Sequence, residues 1–190
     1  MDPGTAKTHS GVDEETFKLA MRQLSAAVSI VTTGTNTENR TGLTATAICS
    51  VSAEPPQILV CVNRRATANE QIRICRNFCV NVLSHSQIGI AKHFAGMEGG
   101  TQQERFAKAK WNTLETGAPA LAGCLVNLDC RLQQEIQSGT HSIFIGEIVA
   151  IEVNRGQEPL AFLDGQFLAI QKPRKSVEVP LELDWDWDWN

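Results

Sequence analysis

No apolar run in this 190-residue sequence is long enough to cross a bilayer, and residues 1–13 lack the apolar stretch of a secretory signal. The expectation is a cytoplasmic protein with no membrane partner. There is no long basic run either: 17 Lys and Arg stand against 21 Asp and Glu, a formal charge of -4, which argues against tracking a phosphate backbone and so against nucleic acid as a partner. The glycine fingerprint of a Rossmann fold, the phosphate loop and the Gly-x-Ser-x-Gly elbow of serine hydrolases are all missing. Any nucleotide must be held in another way, and serine hydrolysis is excluded. The carboxylates form no local acid/base pair. No two histidines or cysteines have a spacing that marks a metal site, and none is expected.

Six cysteines are present, at 49, 61, 75, 79, 124 and 130. Most are embedded in apolar stretches and read as buried free thiols, which pack as small hydrophobes in a reducing compartment. Cys75 and Cys79 come nearest to a metal pair, and their spacing alone carries little.

With 42% hydrophobic residues the chain can build one well-buried core, and a second complete domain would be cramped. Residues 1–12 read as a flexible leader, 13–171 as the domain and 172–190 as a C-terminal extension. Asp13 is placed to cap a helix that carries Phe17, Met21 and Leu24. Branched residues at 27–33 predict a strand, a polar turn follows, and residues 42–52 read as the next strand, so that the two form a hairpin. Further on, the pattern gives a helix over 67–75, a strand over 78–83, a helix over 87–94 started by Ser84 and ended at Gly96, and a short helical piece at 104–106. Strands over 124–134, 142–154 and 160–163 complete the set. Six or seven strands with few helices predict a mainly β (α+β) fold, an antiparallel barrel rather than a doubly wound parallel sheet.

The segment 42–52 is rich in small and hydroxyl side chains: Gly42, Thr44, Ala45, Thr46, Ala47, Cys49, Ser50, Val51 and Ser52. Small residues let a flat ligand approach the backbone, and hydroxyls can bond its polar edge. The next strand ends in Asn63, Arg64 and Arg65, cations suited to a phosphate. His141, in the turn-edge run Gly139-Thr140-His141, could bond a ligand or supply a proton near neutral pH. The tail alternates Trp185, Trp187 and Trp189 with aspartates, and no function is assigned to it.

These pieces, in this order, resemble the flavin reductase-like, FMN-binding split-barrel family, in particular the small reductase components of two-component flavin monooxygenases. The resemblance rests on residues 27–33, 42–47 and 49–52, Pro55-Pro56, residues 61–64 and 78–83, Phe94-Ala95-Gly96, Glu104-Arg105-Phe106, Trp111, residues 116–119 and residues 139–147, and spans about 15–170. It implies a homodimer of Greek-key split barrels binding FMN or FAD near the subunit interface. It also implies reduction of the flavin by NADH or NADPH and release of reduced flavin to a partner monooxygenase. Carried over, residues 44–47 and 49–52 would line the flavin, Asn63 and Arg64 would face its phosphate, Phe94 and Gly96 would border its far end, and His141 would face the nicotinamide. Hydride transfer is carried by the cofactors, so the protein must mainly position them. Relatives often have arginine where this chain has Lys18, and the tail exceeds the family core. Two alternatives stay open: a reductase that keeps its flavin and serves another acceptor, such as a corrinoid or metal complex, and a flavin-binding module without turnover.

Overall fold

The computed structural model describes residues 11–171, so the Trp/Asp tail and most of the leader lie outside the described residues. Helix α1, Glu14–Arg22, starts at Asp13, whose carboxylate accepts the N–H of Thr16 at 2.8 Å and satisfies a donor the helix cannot. The Thr16 bonds hold that carboxyl below its ordinary pKa. No α1 residue is buried. Its C-terminal end is tied down by Arg22, which pairs with Asp164 at 3.1 Å and accepts the Asp164 N–H at 2.8 Å.

Seven strands form one antiparallel sheet: β2 Ser29–Thr33, β3 Thr41–Ala45, β4 Ile48–Ala53, β5 Pro56–Asn63, β6 Asn77–Val82, β9 Val126–Ser138 and β10 His141–Val153. Their spatial order is β3-β2-β6-β9-β10-β5-β4, which carries the chain along a curled path. One face of this sheet closes on a common core in which Val31, Val60, Val62, Phe78, Cys130 and Phe144 meet. The mainly β antiparallel barrel expected from the sequence is therefore what forms. The residues expected to make one strand at 42–52 make two. They break at Thr46 and Ala47, and β3 and β4 lie on opposite edges of the sheet. The corner is held by the Cys61 N–H donating to the Ala47 carbonyl at 3.0 Å.

Interior space is set by a close approach in β10. The register of β10 on β9 shifts between Ile145 and Gly146, and a Cβ at Gly146 would lie 2.5 Å from Cζ of Phe78. Only glycine leaves room for that ring.

A second apolar cluster packs on the outer side of the sheet. It joins Val28, Ile30 and Leu83 to α3, Ile88–Phe94, and α4, Gln102–Phe106, with Leu121 and Leu160. Helix α2, Thr67–Cys75, buries Ile72 in the barrel core. The strand expected at 27–33 is interrupted at Val28, giving β1, Ala26–Ala27, which pairs with β11, Leu160–Leu163, and through it with β12, Gln166–Ala169. A short pair, β7 Trp111–Thr113 and β8 Pro119–Leu121, is tied to the sheet by Asn81, whose side-chain oxygen accepts the Leu121 N–H at 2.7 Å. All six cysteines are free, and the described residues contain no cluster of potential metal ligands. No helix among them is long and apolar enough to cross a membrane.

Candidate functional site

Strand β5 ends at Asn63, and its side chain is spent on the turn that follows: Oδ1 accepts the Arg65 N–H at 2.9 Å while its carbonyl accepts the Ala66 N–H at 3.0 Å. The Arg64 N–H donates to the Thr140 carbonyl at 2.9 Å, which locks this turn to the β9–β10 hairpin. Gly139 supplies the left-handed backbone there, at φ 54°. His141 pairs in register with both Asn63 and Ser138, and its Nδ1 lies 2.9 Å from the Thr140 hydroxyl. Two sequence-predicted groups, Asn63-Arg64 and Thr140-His141, are thus brought together by strand register.

Between them lies a cleft of about 490 Å³ lined by Asn63, Arg64, Arg65, Arg73, Gly139 and Thr140. Among the described residues, none of its three guanidinium groups has an acidic partner. Unpaired arginines converging on one concavity make an anion site, because their fixed N–H forks match phosphate oxygens. Arg73 was not singled out from the sequence. A lone arginine on a helix surface has no local signature, and only the packing of α2 beside the β5 turn brings it to Arg64.

The small-residue segment divides by role. At the corner Thr46 and Ala47 are exposed, as are Cys49 and Ser50 on β4, and these can present backbone and small side chains to a flat ligand. Val51 and Ser52 are half-buried, and the Ser52 hydroxyl is engaged with the backbone of Glu54. Gly42, Thr44 and Ala45 serve packing. The Thr44 hydroxyl donates to the Ala91 carbonyl at 2.7 Å, Ala45 belongs to the barrel core, and a Cβ at Gly42 would come 3.0 Å from the Phe94 ring. Phe94 itself is buried. Its ring sits edge-on to Phe106 at 5.1 Å, and its face of α3 belongs to the second core. Gly96 ends α3 at φ 79° and faces Arg105 rather than the arginine cleft.

Cys61, behind the corner, has its thiol pushed above the ordinary value by burial, so it is a packing group rather than a thiolate.

A flavin mononucleotide fits this donor set: cations for a phosphate at one end, and an exposed wall of small residues on the strand beside β5. The pattern of the flavin reductase like domain matches residues 21–171. The chain belongs to the flavin reductase-like family. Over 168 residues it is 40% identical to an FMN reductase (NADH), RutF 2, of Rhizobium rhizogenes, covering 87% of this chain and 95% of that protein. It is 37% identical over 163 residues to the reductase component of 4-hydroxyphenylacetate 3-monooxygenase of Pseudomonas aeruginosa, covering 86% and 95%. Among solved structures, the NADH:FAD oxidoreductase SgcE6 of Streptomyces globisporus, in complex with NAD and FAD fragments, superposes with a TM-score of 0.78. That match has 27% identity and covers 90% of this chain and all of the other. The split barrel of the flavin reductase-like family is thus the architecture that carries the arginine cleft and the small-residue wall.

Proposed function

We propose that this chain is an NAD(P)H:flavin oxidoreductase that reduces FMN or FAD by hydride transfer and supplies reduced flavin to a partner flavin-dependent monooxygenase. The observation that carries the reading is the group of three unpaired guanidinium groups around one cleft, at the end of the strand that borders the small-residue edge. Relatives at 40% and 37% identity, named as an NADH-dependent FMN reductase and as a monooxygenase reductase component, support it.

When bound, the flavin supplies the two-electron acceptor and the nicotinamide supplies the hydride. The protein binds and aligns them. Arg64 and Arg73 hold the flavin phosphate, while Asn63 braces the turn that presents them. Thr46, Ala47, Cys49 and Ser50 form the wall against which the flat ring lies, their short side chains permitting close approach. The Thr140 hydroxyl fixes the His141 imidazole through Nδ1 and leaves Nε2 for the nicotinamide side. No side-chain acid is required for the transfer, so the contribution of these residues is alignment.

The working unit in this reading is a cytoplasmic homodimer. Phe17, Met21 and Leu24 on and after α1 are 54%, 44% and 62% exposed, an apolar face suited to a second copy. The test is anaerobic and steady-state oxidation of NADH and NADPH by the purified full chain with added FMN, FAD or riboflavin. Turnover with exchangeable flavin supports the proposal. A flavin that co-purifies and does not exchange favours the reductase of another acceptor, and binding without oxidation of either nicotinamide favours the non-catalytic module.

A further inference from the structure

The sequence beyond the described residues carries a strict alternation. From Val177 to Trp189 every odd-numbered residue is apolar, ending in Trp185, Trp187 and Trp189, and every even-numbered one except Pro180 is Glu or Asp. On an extended chain successive side chains point to opposite sides, so such a run has one apolar edge and one carboxylate edge. Residues 176–190 hold five of the 21 acidic residues and none of the 17 basic ones, enough to account for the whole formal charge of -4.

The arginine cleft is a surface of the opposite kind. Arg64, Arg65 and Arg73 line it, and among the described residues none of them has an acidic partner. Beside it, Thr46, Ala47, Cys49 and Ser50 form an exposed wall of short side chains along the strand that borders β5. Cations next to a wall open to a flat ring suit a flavin and its phosphate. They equally suit a carboxylate followed by an indole, which is the repeating unit of residues 184–189.

The length of the tail fits the distance. The Ile170 N–H donates to the Pro159 carbonyl, the Leu160 N–H to Leu83 and the Asn154 N–H to Leu125, which puts the last described strand at the Val153 end of β10. The cleft lies at the other end, where His141 pairs with Asn63. Strand β10 has 13 residues, about 43 Å at roughly 3.3 Å per residue. Residues 172–184, fully extended, cover about the same distance. Asp184 is thus where the tail comes within reach of the arginines, and the Trp/Asp run starts there.

We propose that the arginine cleft and the small-residue wall dock residues 184–189 of this same chain, with carboxylates on Arg64 and Arg73 and an indole against the wall, so that the tail and the flavin exclude one another. This rests on the flavin reductase reading, because it takes the cleft for the flavin phosphate site. Tethering holds the competitor at an effective concentration on the order of 1 mM, so even a weak contact lowers the apparent affinity for FMN several-fold.

The test is fluorescence titration of FMN into the full chain and into a full-length variant with Asp184→Asn, Asp186→Asn and Asp188→Asn, which removes three charges and keeps the alternation. The variant binds FMN about fivefold more tightly or better. On an Arg64→Gln background the same three substitutions change FMN affinity by less than about twofold, because the contact they relieve is already weakened. Unchanged FMN affinity in the variant overturns the proposal. An equal gain in both backgrounds also overturns it, since the effect then comes from the overall charge of the tail. A changed sedimentation coefficient at unchanged FMN affinity gives the tail to a second copy and overturns it as well. All three results leave FMN binding and NADH oxidation, and so the flavin reductase reading, standing, whereas absence of flavin binding in either chain overturns both. Should the variant fold poorly, a synthetic peptide of residues 176–190 added to the unaltered chain decides: displacement of FMN supports docking, and no displacement at about 1 mM peptide overturns it.

Discussion

The side-chain amide of Gln102 is paired with the backbone of Gly42 in both directions, donating from Nε2 to its carbonyl at 3.1 Å and accepting its N–H on Oε1 at 3.2 Å. A side chain thus does for the free edge of β3 what a neighbouring strand would do. Gln102→Ala removes both bonds and is expected to lower stability by about 1–2 kcal/mol, read from urea unfolding. Gln102→Glu should cost more, since a carboxylate cannot donate to the carbonyl and faces it with like charge.

Gly146 leaves no room for a side chain beside Phe78. Gly146→Ala forces a methyl against the ring and is expected to destabilise by about 2–3 kcal/mol. Phe78→Leu in the same chain should recover part of that loss. Equal destabilisation in the single and double variants would show that the cost lies in the backbone rather than in the ring.

In the proposed function Arg64 and Arg73 hold the flavin phosphate. Arg64→Gln or Arg73→Gln should weaken FMN about tenfold while riboflavin affinity stays within about twofold, and each should flatten the salt dependence of FMN binding. Fluorescence titration at two ionic strengths checks this. Loss of riboflavin binding in parallel would place these residues in the scaffold instead.

In the same reading His141 faces the nicotinamide. His141→Ala should raise KM for the nicotinamide several-fold with little change in flavin affinity, and Thr140→Val should produce a weaker form of the same effect by freeing the imidazole. Equal loss of both ligands, or of neither, counts against the assignment.

The buried thiols predict an alkaline limit. Burial raises the pKa of Cys79, Cys124 and Cys130 above the usual 9.0, that of Cys124 to about 11. The folded chain keeps protons that the unfolded chain releases, so their contribution is complete below pH 9 and is lost as pH rises through the folded values. Stability should therefore fall from about pH 9 upward, and Cys124→Ala should flatten the slope between about pH 9 and 11 in urea titrations across pH.

Much of this was written locally. Branched and alternating residues placed β6 and β10 to within a residue and β9 to within four, and Asp13 announced α1. The corner at Thr46 and Ala47 was not legible, because no glycine, proline or aspartate marks it. Two stretches that read as one strand are divided by where their partners lie. Strands β1, β7, β8 and β12 are too short to carry a period and exist only through pairing. Asn63, Arg64 and His141 were singled out in sequence, and strand register explains why the structure brings them together. The packing of Phe94 into the second core was not legible because a helix face carries no sign of which neighbour it will meet, and Arg73 was missed because convergence on a cleft is a property of packing alone.

The corner has a further consequence, for colloidal behaviour rather than for binding. A sheet with two free edges offers two templates on which other chains can add strands. Here the edges are consecutive in the chain, one bonded by a glutamine at Gly42 and both joined at a two-residue bend, so each is pinned at that end. A substitution that straightens the bend at Thr46 and Ala47 is therefore expected to release both edges and to promote association.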